Sequence, residues 1–469
     1  MSQYPKLSNS NIGRKKPCRR LGPALVALLA LMGSIATVPA RGDTPTTVGS
    51  EFQVNECTVG DQNLPQIAAR PGGGFVAVWE IDDDGSGTGI RGRCFDSSGG
   101  PLTGEFQVNA YTTMDQSDPQ VAVNGSDEFV VTWAGPSSGG DPDSIQGRTF
   151  DDLCLPTLSD FQVNSTTAGA QVRPAISSDG TDFLVVWEGP GDGSESGIFA
   201  QEITTLVFVG SEFQVNSTTS GEQSYPDVAW SGSDFVVVWQ SEETTADVFD
   251  IRGTEVSSTT PPADMLINST TSLDQSRPSV ASDGLGEWAV VWQAQESAEG
   301  PPIYDISGRR FSGFEGGGSE FQVNLGTLRD QRFPEASVDA TGALVVAWLT
   351  RNAGVALEQG SPMAPEGPPI YGGRYFGSIP GRSTLGDDGA VPESDGEFEI
   401  AIGIDTGEPV VVFAPLAEGS FLAIWEATAS VEGPTTQIDL SGQAFSVACG
   451  LFCDSFESGD TTTWTDTTP

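Results

Sequence analysis

A five-residue stretch, Phe75-Val76-Ala77-Val78-Trp79, recurs along this chain at a spacing few architectures tolerate. Close copies occupy 129–133, 183–187, 235–239, 288–292, 344–348 and 421–425, so there are seven, each ending in tryptophan. The first five tryptophan-to-tryptophan intervals run from 52 to 56 residues and the last is 77. In the first copy Phe75, Ala77 and Trp79 fall on one face of a strand, and Val76 and Val78 on the other. Both faces are apolar, so the strand must be covered on both sides.

Aligned on the tryptophans, each unit has four short segments. Pro-x-Val-Ala (119–122) comes first, then the tryptophan strand, then Ile-x-Gly-Arg-x-Phe (145–150), and last Glu-Phe-Gln-Val-Asn (105–109 in the unit before). All are rich in Val, Ile, Phe and Trp and bounded by Gly, Asp, Ser or Pro, which are strand and turn signals. Four strands per unit, seven units and two buried faces per strand predict an all-β, seven-bladed β-propeller of four-stranded blades. A displacement in the repeat predicts its closure. Phe52-Gln53-Val54-Asn55 precedes the first unit and no such segment follows the last, so the N-terminal strand is expected to complete the last blade. The units resemble the FQVN/VVW-type repeats of uncharacterised secreted bacterial propeller proteins over about residues 50–446. That resemblance implies a fold and an extracytoplasmic location, and no activity.

Three segments follow from this frame: a signal at 1–42, the propeller at 50–446 and a tail at 447–469. The signal reading rests on Arg14-Lys15-Lys16 and Arg19-Arg20, an uncharged apolar run over 21–38, and small residues up to Ala40. Cleavage is expected, with no membrane insertion afterwards; an uncleaved anchor is the competing reading. The tail, with Phe456-Glu457-Ser458-Gly459-Asp460 and then Trp464, resembles the FESGD-x-x-x-W tail of secreted bacterial proteins. Five cysteines follow the signal (Cys57, Cys94, Cys154, Cys449 and Cys453), and an oxidising compartment favours some pairing among them. Secretion or cell-surface location is the expectation.

Charge narrows the partners. Seven of the 21 basic residues precede Asp43, which leaves fourteen arginines against 64 acids, a net charge of −50, with no lysine and no histidine. Nucleic acid and anionic membrane surfaces are therefore poor candidate partners. Glycans or extracellular proteins fit better, and a monomer is expected. Without histidine or lysine, Ser-His-Asp triads, His-metal sites and Schiff-base chemistry are ruled out. Carboxylates and tyrosine remain for acid–base work, which leaves glycoside hydrolysis as the main enzymatic option.

Residues repeated in most units read as structural. These are the tryptophans, the Asp-Gln pairs such as Asp115-Gln116, the arginines Arg91, Arg148, Arg309 and Arg374 as ion-pair partners, and the Asn-Ser-Thr turns at Asn164, Asn216 and Asn268. Function is sought where units differ. Asp82-Asp83-Asp84-Gly85 has the oxygen-rich, glycine-broken look of a calcium loop, without the spaced EF-hand pattern. The residue before the inner-strand proline varies most: Leu64, Asp118, Arg173, Tyr225, Arg277, Phe333 and, in the divergent last unit, Glu408. In a propeller these ring one mouth of the central channel, where Asp118, Arg173, Tyr225, Arg277 and Glu408 can hold a ligand. The sequence thus favours a non-catalytic binding or surface-associated propeller. A carbohydrate-active enzyme (glycosidase, sialidase-like or lyase) and a structural surface component are the alternatives.

Overall fold

The computed structural model describes residues 46–446 except 58–59, 83, 194, 206–207, 243–247, 258–262, 298–301, 315, 326–329, 339–342, 352–369, 377–396, 403–410, 416–419 and 430–436. The signal, Cys449, Cys453 and the tail lie outside those residues. Among the described residues every regular element is a strand and there is no helix. The protein is a β-propeller of four-stranded blades.

Six sheets are each built from four consecutive strands. The Trp79 sheet runs Gln62–Ala69, Phe75–Ile81, Gly89–Phe95, Phe106–Gln107, all antiparallel. The sheets carrying Trp133, Trp187, Trp239, Trp292 and Trp348 repeat that order. A further four-stranded sheet carries Trp425 and holds Val411–Pro415, Ser420–Ala429 and Gln437–Ser446, with Thr46–Gln53 at its edge. Thr46 pairs with Ser446 and Phe52 with Gly442. The glycine of Ile-x-Gly-Arg is explained by this pairing across strands. A Cβ on Gly92, Gly147 or Gly442 would sit 2.8–2.9 Å from the ring of Phe106, Phe161 or Phe52.

The apolar alternation is used as the sequence implies. Phe75, Ala77 and Trp79 pack against Val412, Leu422 and Ile424 of the Trp425 sheet. Val76 and Val78 pack the other way, against Phe129, Val131 and Trp133 of the next sheet. All seven strand-ending tryptophans are at most 5% exposed. Aromatic burial of this kind, ~150–250 Å² per ring, is the main apolar contribution to packing one sheet on the next.

The outer edges are held by polar ties that recur unit by unit. The buried Asn109 accepts the Ile90 N–H at 2.8 Å and donates to Gln116 Oε1 at 2.6 Å and to the Tyr111 carbonyl at 3.1 Å. Asn164, Asn216, Asn268 and Asn324 accept the equivalent isoleucine N–H at 2.7–2.8 Å. The Asn-Ser-Thr asparagines are thus buried turn residues, and the glutamine of each Asp-Gln pair ties the loop, as expected. Between sheets, the acid that opens Glu-Phe-Gln-Val-Asn caps two backbone N–H groups of the preceding sheet. Glu105 accepts from Glu56 and Cys57 at 3.0 Å each, and Asp160 from Ala110 and Tyr111 at 2.7 and 2.8 Å. Part of the large negative charge is therefore structural.

Arg91 pairs with Glu105 at 3.7 Å, as an ion-pair partner should, and Arg93 holds the frame position of Ile-x-Gly-Arg. Arg93 Nη1 donates to the Val54 carbonyl at 2.9 Å, as Arg148 does to Val108 at 2.7 Å and Arg309 to Ile267 at 2.8 Å. These arginines reach a carbonyl of the neighbouring sheet, a tie that complements the ion pair of Arg148 with Asp160 at 3.7 Å. The side chain of Arg374 lies outside the described residues. A disulfide joins Cys94 to Cys154 across the first two sheets, and Cys57 is disulfide-bonded as well.

Candidate functional site at the channel mouth

The six described residues that precede the inner-strand prolines share one unusual backbone. Leu64, Asp118, Arg173, Tyr225, Arg277 and Phe333 all have φ between +48° and +54°. None is glycine, and a residue before proline normally favours extended backbone. A bulge in the inner strand causes this: the register slips between Asn63 and Gln66 in the first sheet, and at the same place in the next five. A left-handed non-glycine residue costs ~1–3 kcal/mol and persists only where its surroundings impose it. The imposing group is the side chain after the tryptophan of the preceding sheet. Gln240 Oε1 accepts the Arg277 N–H at 3.0 Å, Gln293 Oε1 accepts that of Phe333 at 3.3 Å, and Glu426 Oε1 accepts that of Leu64 at 3.0 Å.

The bulge delivers all six side chains to one cavity of about 240 Å³ on the channel axis. Glu408 lies outside the described residues. Along one arc the side chains stack alternately. The Arg173 guanidinium lies 4.1 Å from the Tyr225 ring centre, and Arg277 lies 4.4 Å from Tyr225 and 4.6 Å from Phe333. Arg277 Nη2 also donates to the Tyr225 hydroxyl at 3.0 Å, and Arg173 Nη1 to Glu188 Oε2 at 2.7 Å. Burial raises the Glu188 carboxyl above its ordinary range, although Arg173 works against that. The opposite arc carries Leu64 and Asp118, with the amides of Gln66 and Gln120 beneath.

A second tier lies one residue beyond the prolines and was not singled out in the sequence. There Asp227, Ser279 and Glu335 line the same cavity from three successive sheets. Asp227 accepts the N–H groups of Val228 and Val280 at 2.8 Å each, and Ser279 Oγ accepts that of Ala336 at 3.2 Å. Depth in the channel desolvates both carboxyls. It pushes Asp227 up to about 6 despite those bonds, and Glu335 up to about 8 with added repulsion from Asp227. Behind the mouth, burial and then the charge of Asp118 hold Glu80 at about 8. The only sequence signal for this tier is that it also changes from unit to unit: Gln66, Gln120, Ala175, Asp227, Ser279, Glu335.

In the acidic loops one aspartate per loop turns onto its own sheet in four units. Asp84 Oδ2 accepts from Gln107 at 3.0 Å and Asn109 at 2.9 Å, and Asp141, Asp250 and Asp305 meet the same outer-strand amides at 2.7–2.9 Å. Asp82 accepts the Asp61 N–H at 3.2 Å, and Asp83 lies outside the described residues. Among the described residues no group of three or more side chains is placed to hold a metal ion.

The fold and cavity define a β-propeller with one asymmetric channel mouth. No protein-family model matches the chain, and no curated protein matches it. Solved structures do. A protein of unknown function from Dyadobacter fermentans has a TM-score of 0.45 and 11% identity, covering 86% of this chain and 99% of its own. The β-propeller domain of the Trilobed protease from Pyrococcus furiosus has a TM-score of 0.44 and 10% identity, covering 81% and 94%. The α-L-arabinanase of Penicillium chrysogenum, complexed with arabinobiose, has a TM-score of 0.43 and 10% identity, covering 70% and 92%.

Proposed function

We propose that this chain is an extracytoplasmic, seven-bladed propeller that binds a glycan at the channel mouth without transforming it. The observation that carries the reading is the ring of positive-φ residues. One backbone device, repeated in six units, presents five kinds of side chain to a single cavity. Packing alone would favour the same side chain each time, as it does for the tryptophans. Aromatic rings, guanidinium N–H groups, amides and carboxyls around a concave site suit a hydroxyl-rich ligand.

The Trp425 sheet acts as the seventh blade in this reading, closed by the N-terminal strand. Its inner strand, Val411–Pro415, adjoins both Asp330–Val338 and Gln62–Ala69, and Glu426 caps Leu64 as its counterparts cap the next units. The Cys94–Cys154 disulfide fits an oxidising compartment.

A glycan array with and without calcium tests the binding reading, run beside the double variant Arg173→Gln/Arg277→Gln. Binding without product release, lost in the variant, is expected. Unchanged binding by the variant removes the mouth from the account. Glycoside hydrolysis is the second reading, favoured by one observation: Asp227 and Glu335 share the cavity with carboxyls held at about 6 and about 8. Such a split suits a base and an acid, and released product would favour it.

A further inference from the structure

The channel floor is chemically one-sided. Asp227 and Glu335 line it from the Trp239 and Trp348 sheets, with Ser279 from the sheet between them. The Asp227 oxygens are each committed to a backbone N–H at 2.8 Å. The Glu335 carboxyl has no hydrogen-bond partner among the described residues. It opens onto the cavity, so its partner there is whatever the cavity takes in.

Among the described residues that line the cavity, none brings a cation down to this floor. The nearest guanidinium groups belong to the tier above: Arg173 is bound to Glu188 at 2.7 Å, and Arg277 stacks between Tyr225 and Phe333. Asp118, in the same cavity, adds a further negative charge. A hydroxyl entering here would supply a hydrogen bond but no positive charge to offset the acidic floor. A hard divalent ion would ask for six or more oxygens. A primary ammonium has three donors and one positive charge, which matches the Glu335 carboxylate, an Asp227 oxygen and the Ser279 hydroxyl.

We propose that Asp227, Ser279 and Glu335 form a subsite for a protonated primary amine, so that the saccharide taken into the channel is an amino sugar. This rests on the glycan reading of the same cavity. Tyr225 and Arg277 above, and the amides of Gln66 and Gln120 opposite, would meet the hydroxyls of the ring.

Calorimetry at pH 7 in two buffers of different ionisation enthalpy tests it, with three probes: a glucosamine trisaccharide, its fully N-acetylated form, and cellotriose. The free amine is expected to bind about tenfold or more tighter than either neutral sugar. Binding should release protons, because the ammonium ionises Glu335. Glu335→Gln should abolish the release and weaken glucosamine binding about tenfold, while its melting curve shows it folded. Ser279→Ala gives a second, milder disruption of the same subsite. Equal binding of the N-acetylated form, or unchanged proton release in Glu335→Gln, overturns the amine subsite and leaves the glycan reading standing. No binding of any of the three overturns the amine subsite; array binding of some other glycan would then preserve the broader reading, and an empty array would remove both.

Discussion

At the outer edge of five sheets the same side chain meets the same partner, whereas at the channel mouth one backbone carries different side chains. Asn109, Asn164, Asn216, Asn268 and Asn324 each accept one isoleucine N–H. Leu64, Asp118, Arg173, Tyr225, Arg277 and Phe333 share only a φ near +50°. Where the side chain is the structural element, changing it breaks the fold. Where the backbone is the structural element and is fixed from the neighbouring sheet, the side chain is left to vary.

The sharpest test of that difference is Asn109→Ala. It strands the buried Ile90 N–H and the Gln116 amide, and each unmet group costs ~1–3 kcal/mol. A loss of about 2–4 kcal/mol in denaturant unfolding is expected, with glycan binding unchanged in the folded fraction.

A pH effect arises at the channel and, summed over two groups and several pH units, exceeds that loss. Glu80 and Glu335 sit near 8 in the folded chain against an ordinary 4.5. Between those values the unfolded chain ionises while the native groups keep their protons, so stability falls as pH rises. Each group contributes at most about 1.4 kcal/mol per pH unit. Thermal melts should be highest near pH 5 and fall towards pH 8, with a flatter profile in Glu80→Gln and Glu335→Gln. A profile that rises across that window would contradict the assignment.

A smaller loss belongs to the edge. Glu212 Oε2 accepts the Thr166 N–H at 3.1 Å, and Oε1 accepts the Thr166 hydroxyl at 2.6 Å. Desolvation opposes ionisation there, but the bonds from Thr166 and Ser165 outweigh it and lower the carboxyl below its usual range. Glu212→Ala should cost about 1–2 kcal/mol above pH 5. That cost should shrink in acid as the wild-type carboxylate protonates.

The smallest stability change is expected at the mouth. Tyr225→Ala loses two half-buried stacking contacts and the hydrogen bond from Arg277, and should shift stability by about 1 kcal/mol. It should nevertheless abolish binding on the array. A large destabilisation with intact binding would erase the contrast drawn above.

Much of the edge was legible in the sequence because its chemistry is encoded locally and repeated. The Phe75 to Trp79 alternation gave both buried faces, and the Asp-Gln pairs were read as loop ties. The mouth was legible as variation at one aligned position, Leu64 to Phe333. What escaped needed a partner from another unit. The clip of Gln240 on Arg277 spans 37 residues and the cap of Glu105 on Cys57 spans 48, and neither has a local signature. Asp227 and Glu335 were hidden among 64 acids. Only the bulge, which turns the inner strand, shows that they share a cavity. Arg91 meets Glu105 as an ion-pair partner, whereas the reach of Arg93 to Val54, 39 residues away, has no local signature.

Thr46–Gln53, the first described strand, bonds to Gln437–Ser446, and Asn55 accepts the N–H of a residue 385 positions later. At 5–20 residues per second, a ribosome needs about 20–80 s to produce that partner. For that interval the strand made earliest has an open edge. A chain held unfolded until complete avoids the wait. One that folds as it emerges must keep Phe52 from pairing with the wrong glycine, since Gly92, Gly147 and Gly308 all arrive before Gly442.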